Sequence, residues 1–145
     1  MSQPQLFCSD QHPSALNVLG EQVTIFGQDD ASKPFEVHLQ EGVQGGGPPP
    51  HHHPWDEAFY VLQGQVLVTM DGHEHLLDAG SFVHVPAGTI HAYTNQSTPT
   101  RLLAIVSDCS GGQVFKQMDQ HVKQLPEDLP KVVEVGAKHG VVFVD

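Results

Sequence analysis

Three consecutive histidines, His51 to His53, lie between two prolines and are the most unusual short stretch of the chain. In an extended segment alternate side chains point to the same side, so His51 and His53 share one face and His52 faces away. Pro50 and Pro54 favour this extended geometry. Because neutral imidazole is the commonest metal-binding side chain, the spacing predicts half of a metal site.

Two further candidates for metal binding lie on neighbouring strand-like segments. Glu57 is in phase with Phe59 and Val61. If that face points inward, the carboxylate needs a cation or another partner, since a buried unpaired charge is costly. His91 follows a Pro-Ala-Gly segment that marks a turn, and it opens the next strand-like run.

These residues belong to two spaced motifs that are both complete. The first, G-x5-H-x-H-x3-E-x6-G, is matched by Gly45, His51, His53, Glu57 and Gly64. The second, G-x5-P-x-G-x2-H-x3-N, is matched by Gly80, Pro86, Gly88, His91 and Asn95. With the composition of this chain, chance would produce either motif with odds on the order of 10⁻³ or less. Over about residues 35–107 the chain therefore resembles the cupin superfamily, in its conserved-barrel form.

The resemblance implies both a fold and a set of metal ligands. The fold would be all-β, a small antiparallel jelly-roll β-barrel, and one divalent metal ion would be held by His51, His53, Glu57 and His91. Three imidazoles and one carboxylate leave open positions on a six-coordinate ion, which chemistry at a metal requires. This donor set does not select among Fe, Ni, Mn, Co, Cu and Zn. His52, from its parity, is expected to face outward or to support the ligands from behind.

Within the superfamily, the chain is similar to single-domain quercetinase-like dioxygenases. The similarity lies in the runs Gly45–His51, Asp56–Gly64 and Gly140–Val144. In that group a metal binds flavonol oxygens, the glutamate takes the hydroxyl proton, and dioxygen cleaves the ring with loss of carbon monoxide. The resemblance thus implies that Glu57 is the catalytic base as well as a ligand, with a small enol- or flavonol-like substrate. The residues expected near that substrate are Phe59, Val61, Met70, Val83 and Tyr93.

Two other functions stay open beside a dioxygenase. The chain could be a cupin isomerase or decarboxylase, or it could bind or sense a small ligand without turnover around a structural metal. The substrate hypothesis rests on family analogy, and one fold hosts many activities. A Glu57→Gln variant that keeps metal and ligand binding but loses turnover would separate the enzyme from the binding protein.

The segments that must position these residues alternate between short strand-like runs and turns. Gly64 and the Asp71-Gly72 pair read as tight turns, and the latter is the strongest hairpin signal. No helical pattern intervenes, which favours an antiparallel sandwich or barrel. The runs are 23–26, 35–39, 57–63, 65–71, 81–85, 91–96 and 100–107.

The pattern changes near residue 113, where Phe115, Met118 and Val122 form a helical stripe. We expect this stripe to pack against the barrel rather than to act as a lid. Asp128-Leu129-Pro130 could begin a second helix, with Gly136 or Gly140 at its end. The sequence thus predicts one domain over residues 1–145 with a short helical extension at about 113–140.

Composition excludes several classes of partner. The 145 residues include 17 acidic and 6 basic side chains, for a formal net charge of −11, which argues against nucleic acid and anionic membranes. Residues 1–32 lack the basic residues of a secretory leader, and the longest aliphatic run, Leu102–Val106, is too short to span a bilayer.

We therefore expect a soluble cytoplasmic protein whose partner is a small-molecule substrate. Its two cysteines, Cys8 and Cys109, cannot form a disulfide framework, although one cross-link between them stays open. We also expect a homodimer formed through a sheet edge, with residues 16–26 as the segment exchanged.

Overall fold

The computed structural model describes residues 3–27 and 33–144. Short strands follow one another through most of the chain, and two helices come near its C-terminal end. The strands are β1 (Leu16–Val18), β2 (Glu21–Phe26), β3 (Glu36–Gly42), β4 (His51–His52), β5 (Glu57–Gln63), β6 (Gln65–Met70), β7 (His73–Asp78), β8 (Phe82–Val85), β9 (His91–Asn95), β10 (Thr100–Val106) and β11 (Val142–Phe143). The helices are α1 (Ser110–His121) and α2 (Leu129–Lys138).

The strands form two antiparallel sheets that pack face to face. One sheet has six strands in the order β1-β2-β3-β10-β5-β8, and the other has five in the order β11-β4-β9-β6-β7. Sequential strands such as β5 and β6 lie in different sheets, so the chain crosses the barrel repeatedly. This architecture confirms the all-β jelly-roll barrel with short C-terminal helices.

Two groups of buried side chains fill the interior. The first, which we call the strand cluster, comes from strands of both sheets: Phe59, Val61, Val66, Val68, Val85, Tyr93, Leu102 and Ala104. The second, which we call the helix cluster, joins the N-terminal strands to both helices: Val18, Val23, Ile25, Trp55, Val106, Val114, Met118, Val132, Val135 and Val141. Apolar burial of this kind is the main driving force for the fold.

The hairpin expected at Asp71-Gly72 is present and joins β6 to β7. Asp71 and Gly72 both have positive φ, at 50° and 80°, as a two-residue turn of this type requires. The sequence patterns did not predict β7, because its residues are nearly all exposed and show no alternation. The short strands β1, β4 and β11 were also not predicted as such.

The helical extension agrees with the sequence pattern. Met118 is buried, and Phe115 and Val122 pack against the helix cluster. The second helix begins at Leu129 with Pro130 in its first turn, where the missing amide donor costs nothing. Of the two expected ends, Gly140 is the one beyond the helix, with a φ of 89°, whereas Gly136 lies within it.

No helix in residues 3–27 and 33–144 is both long enough and apolar enough to cross a bilayer. Cys8 and Cys109 are not joined by a disulfide, so the cross-link that the sequence left open is not formed.

Candidate metal centre

Strand pairing brings two of the predicted histidines side by side. β4 and β9 are antiparallel neighbours, and His51 lies directly opposite His91. Their ring centroids are 4.3 Å apart. On the other side of β4, the C-terminal strand β11 places Phe143 opposite His51, so the tail covers this end of the site.

His53 completes a compact group of three. Its ring centroid lies 5.5 Å from that of His51 and 4.9 Å from that of His91. All three side chains are buried, and one ring nitrogen from each lies within 4.8 Å of the others. His52 is only partly buried, as expected from its opposite parity. The three histidines thus form a possible metal site.

Backbone carbonyl groups hold all three rings in the same protonation pattern. His51 Nδ1 donates to the Pro49 carbonyl oxygen at 2.8 Å, and His53 Nδ1 donates to the Trp55 carbonyl oxygen at 3.0 Å. His91 Nδ1 donates to the Thr89 carbonyl oxygen at 2.8 Å. In a neutral ring the proton on Nδ1 leaves a lone pair on Nε2. Such hydrogen bonds to the second nitrogen are the usual support of metal-binding histidines.

The Glu57 carboxylate faces the same point as two of these rings. Its Oε2 lies 3.1 Å from His53 Nε2 and 3.3 Å from His91 Nε2, and the side chain is 14% exposed. If both nitrogens carry lone pairs, three electron-rich atoms face one another. That arrangement needs a proton or a cation between them, and a divalent ion would satisfy all three at once.

The pKa values of these groups follow from burial and mutual proximity. Burial, with repulsion from His91, lowers the pKa of His51 to about 4. Burial alone would raise the pKa of Glu57, but hydrogen bonds from His53 and His91 outweigh it and hold that pKa well below its usual range. Burial opposes protonation of His91, yet the Glu57 carboxylate raises its pKa. His51 is therefore neutral near pH 7, ready to bind a metal ion.

Trp55 is a site residue to which the sequence analysis assigned no role. Its ring stacks on His53 with centroids 4.4 Å apart and planes 8° from parallel. The indole is 5% exposed and belongs to the helix cluster. Its position two residues after a candidate ligand is the only signal that could have drawn attention to it.

A cavity of about 100 Å³ adjoins the histidines and Glu57. One wall comes from α1, through Val114, Phe115 and Met118. The stripe therefore packs in the helix cluster, as expected, and two of its residues, Phe115 and Met118, also line the cavity. Polar groups line another part of the wall: Glu21, His38, Gln40 and Tyr93.

The five residues expected near a substrate all lie in or against the strand cluster, but of the five Tyr93 alone lines the cavity. Phe59 and Val61 belong to the strand cluster, and Met70 and Val83 pack against it. These four face inward, but they lie along the barrel where neighbouring side chains fill the interior, so they do not form the cavity wall. The contact of any of the five with a substrate stays a prediction.

Asn95, the last residue of the second motif, is 2% exposed and has a structural role. Its Nδ2 donates to Glu21 Oε1 at 2.8 Å and to the Val43 carbonyl oxygen at 3.2 Å. Asn95 thus ties β9 to β2 and to the loop before the histidines.

Comparison with known proteins agrees with this geometry. The sequence profile described as "Cupin domain" matches residues 36–106. Quercetin 2,3-dioxygenase of Bacillus subtilis (strain 168) is 35% identical over 83 residues, which make up 57% of this chain and 25% of that protein. The matched part thus spans about a quarter of that relative.

Two solved structures resemble the fold over most of their length. KdgF from Halomonas sp. has a TM-score of 0.65 and 21% identity, covering 73% of this chain and 94% of its own. An RmlC-like cupin from Shewanella frigidimarina NCIMB 400 has a TM-score of 0.63 and 21% identity, covering 74% of this chain and 95% of its own. At these identities the likeness concerns the fold alone.

Proposed function

Because the chain belongs to the cupin superfamily, we propose that it binds one divalent metal ion and acts as a metal-dependent dioxygenase-type enzyme on a small oxygenated substrate. The observation that carries the proposal is the convergence of His51, His53, His91 and Glu57 beside a cavity. The likeness to quercetin 2,3-dioxygenase supports the type of reaction.

In this proposal the chain's own residues hold the metal and control one proton. The three Nε2 atoms would hold the ion, while the backbone carbonyl groups keep the Nδ1 protons in place. When bound, the ion would supply Lewis acidity and open coordination positions for substrate oxygens and dioxygen. Glu57 Oε2, beside two of the ligands, takes the hydroxyl proton of an enol. α1 and β11 exclude bulk water from the cavity.

The size of the cavity favours a small enol over a flavonol. An apolar cavity of about 150 Å³ holds benzene, and the cavity here measures about 100 Å³. A three-ring flavonol is larger than this volume. A compound with a few heavy atoms fits the protein as folded, so we place small enolisable carbonyl compounds first.

Oxygen uptake by defined metal forms tests the proposal. Protein purified without added metal is analysed for its elements, then loaded with Fe, Mn, Ni or Co and assayed with small enols and with flavonols. We expect uptake with at least one metal and a small enol. Glu57→Gln should still bind metal at saturating concentration but lose turnover, whereas the exposed-site control His75→Gln should keep both. Absence of oxygen uptake in every metal form contradicts the dioxygenase.

One observation favours a second function, a binding protein without turnover. The likeness to the dioxygenase spans only 25% of that protein, and one fold hosts many activities, so the metal centre could serve binding alone. If the metal-loaded protein binds an enol tightly but neither it nor Glu57→Gln consumes oxygen, the binding function is the correct one.

We also propose that the chain forms a homodimer in the cytoplasm. β1 and β8 are the edges of the six-stranded sheet, and beside the β8 edge Phe82 and Tyr60 are 64% and 44% exposed. Exchange of residues 16–26 would have to break the β2–β3 pairing within the chain, so we favour the β8 edge. Analytical ultracentrifugation should find a dimer that Phe82→Ser weakens, and a monomeric parent protein would contradict the proposal.

A further inference from the structure

The inner face of β3 carries polar side chains where a barrel strand ordinarily carries apolar ones. Glu36, His38 and Gln40 are 2%, 1% and 6% exposed, whereas Val37 and Leu39 between them are less buried. Burying such groups costs free energy unless each is hydrogen-bonded. An apolar strand would serve the core better, so this inverted pattern points to a role for the polar face.

Glu36 and His38 form a fixed pair within this face. His38 Nε2 lies 2.5 Å from Glu36 Oε1, and the Phe115 ring on α1 packs edge-on against the imidazole at 5.0 Å. Glu36 in turn fills the space beside the first turn of α1, because a Cβ atom at Gly112 would collide with its Oε1. The imidazole is therefore held in one orientation by both β3 and α1.

The second nitrogen of this ring is available to the cavity. His38 lines the same cavity as the three histidines. Its Nδ1 makes no hydrogen bond within residues 3–27 and 33–144. The fully buried side-chain atoms that lack a partner there are Arg101 Nε and His139 Nε2, and His38 Nδ1 is not one of them. When Nε2–H is donated to Glu36, the Nδ1 lone pair is left as an acceptor for a ligand of the cavity that His38 lines.

Two neighbouring polar groups of the cavity wall, Glu21 and Tyr93, are already hydrogen-bonded. Glu21 Oε1 accepts from Asn95 and Glu21 Oε2 accepts from the Tyr93 hydroxyl, each at 2.8 Å. The Tyr93 oxygen also lies 2.7 Å from the Gln40 side-chain amide. These contacts engage both carboxylate oxygens of Glu21 and the Tyr93 hydroxyl, so His38 and the Gln40 amide nitrogen are the wall groups left to meet a ligand.

We propose that His38, positioned by Glu36, is a second binding residue of the cavity that accepts a hydrogen bond from a hydroxyl group of the substrate. The inference rests on the proposed function, since it assumes that another part of the substrate reaches the metal. It narrows the substrate class to small hydroxylated enols or hydroxycarbonyl compounds. A carboxylate at this position is disfavoured by the buried carboxylates of Glu36 and Glu21.

The ring contacts of His38 and those of the metal ligands involve different residues. The rings of His51, His53 and His91 pair with one another and with Trp55 and Phe143. The His38 ring pairs only with Phe115 in the part of the chain that the structure describes. A substrate held at both places would be oriented as well as bound.

Matched hydroxamates provide the test, because a hydroxamate chelates divalent metals through two oxygens. Acetohydroxamate ends in a methyl group, glycolohydroxamate and 3-hydroxypropanohydroxamate end in hydroxyl groups at two distances, and malonomonohydroxamate ends in a carboxylate. Binding to the Co(II)-loaded protein is followed by fluorescence of Trp55, which is the only tryptophan and stacks on His53.

We expect one hydroxyl probe to bind about 5–10-fold more tightly than acetohydroxamate, and the carboxylate probe to bind more weakly than either. His38→Gln keeps a donor toward Glu36 but lacks the ring acceptor, so it should abolish this preference. It should leave affinity for Co(II) and for acetohydroxamate unchanged. The double variant Glu36→Gln/His38→Leu, which leaves no unpaired buried charge, should behave in the same way. His75→Gln on the exposed strand β7 is the control and should keep the preference.

The outcomes separate this inference from the proposed function. If acetohydroxamate binds but neither hydroxyl probe gains affinity, or if His38→Gln keeps the gain, the role of His38 is overturned while the metal site stands. If Co(II) does not quench Trp55, or acetohydroxamate fails to bind the Co(II) form, the metal-held substrate is overturned, and the role of His38 falls with it.

Discussion

The strand cluster and the cavity are built on the same strands, yet they differ in what their inward residues do. On β10, Leu102 and Ala104 belong to the strand cluster, whereas Val106 reaches the helix cluster beside the cavity. On β9, His91 belongs to the metal site, and Tyr93, two residues later, touches both regions. Facing inward is thus a property of strand parity, but position along the barrel decides whether a residue packs or binds.

The largest effect that tests this comparison is on stability, and it belongs to the strand cluster. Leu102 is 2% exposed, and Leu102→Ala should lower the free energy of unfolding by about 2–5 kcal/mol because it leaves a cavity among fixed neighbours. Leu62, on the adjacent strand, is 42% exposed, and Leu62→Ala should cost about 0.5 kcal/mol or less. Urea unfolding measures both. Equal losses for the two variants would contradict the description of a sealed cluster.

The next effect belongs to the metal site and should appear in binding rather than in folding. His53→Gln removes one of three converging nitrogens, so we expect the Co(II) dissociation constant to rise at least about 100-fold. His52→Gln, which changes the neighbouring residue of opposite parity, should alter it by no more than about twofold. Trp55 fluorescence titration reports both values. A similar loss in the two variants would show that parity does not select the ligands.

A smaller effect is expected where α1 meets β3. A Cβ at Gly112 would collide with the Glu36 carboxylate, while one at Gly111 would meet His38 Cε1 at an ordinary 3.5 Å. Gly112→Ala should therefore cost about 1–3 kcal/mol of unfolding free energy through overpacking. Gly111→Ala should be neutral or slightly stabilising, since alanine favours a helix. Thermal unfolding of the pair checks whether this contact is as close as the structure indicates.

The smallest effect is a pH dependence of the metal-free protein. Burial lowers the pKa of His51 to about 4, so below its usual value of 6.5 the unfolded chain binds a proton that the folded chain does not. The His51 contribution therefore lowers the free energy of unfolding as pH falls from 6.5 towards 4, by about 1 kcal/mol or less between pH 7 and pH 6.

The raised pKa of His91 acts in the opposite sense, since its contribution to folded-state stability is fully present below pH 6.5 and is lost as pH rises through the raised pKa. The two contributions are separated by comparing wild type with His51→Gln. Unfolding of the metal-free forms at several pH values should show that the free energy of unfolding declines less steeply with falling pH in His51→Gln than in wild type. A steeper decline in the variant would contradict the assignment.

Much of the metal site could be predicted from local pattern. The spacing of His51 and His53, with prolines on both sides, determines that both face one way in any extended chain. The turn before His91 likewise starts a strand at a definite residue. The strand-like runs that carry Glu57 and His91 also agree with β5 and β9, because alternation and turn residues act over a few positions.

The polar face of β3 and the role of Trp55 could not be predicted in this way. Strand parity places Glu36, His38 and Gln40 on one face of β3, but polar residues on one face of a strand usually indicate solvent. Here that face is buried, because α1 closes over the N-terminal strands. The local pattern likewise indicated that Phe59 and Val61 face inward, but it did not indicate that they lie outside the cavity wall.

By itself, the sequence determined the fold class and the candidate ligands of the possible metal site, since both depend on short spacings and on chain direction. The tertiary structure alone decided which inward residues surround space and which fill it. That distinction depends on contacts between residues far apart in the chain, such as His38 with Phe115 and Tyr93 with Glu21. Packing of distant elements, not the local pattern, places a helix over one end of the barrel and side chains in the other.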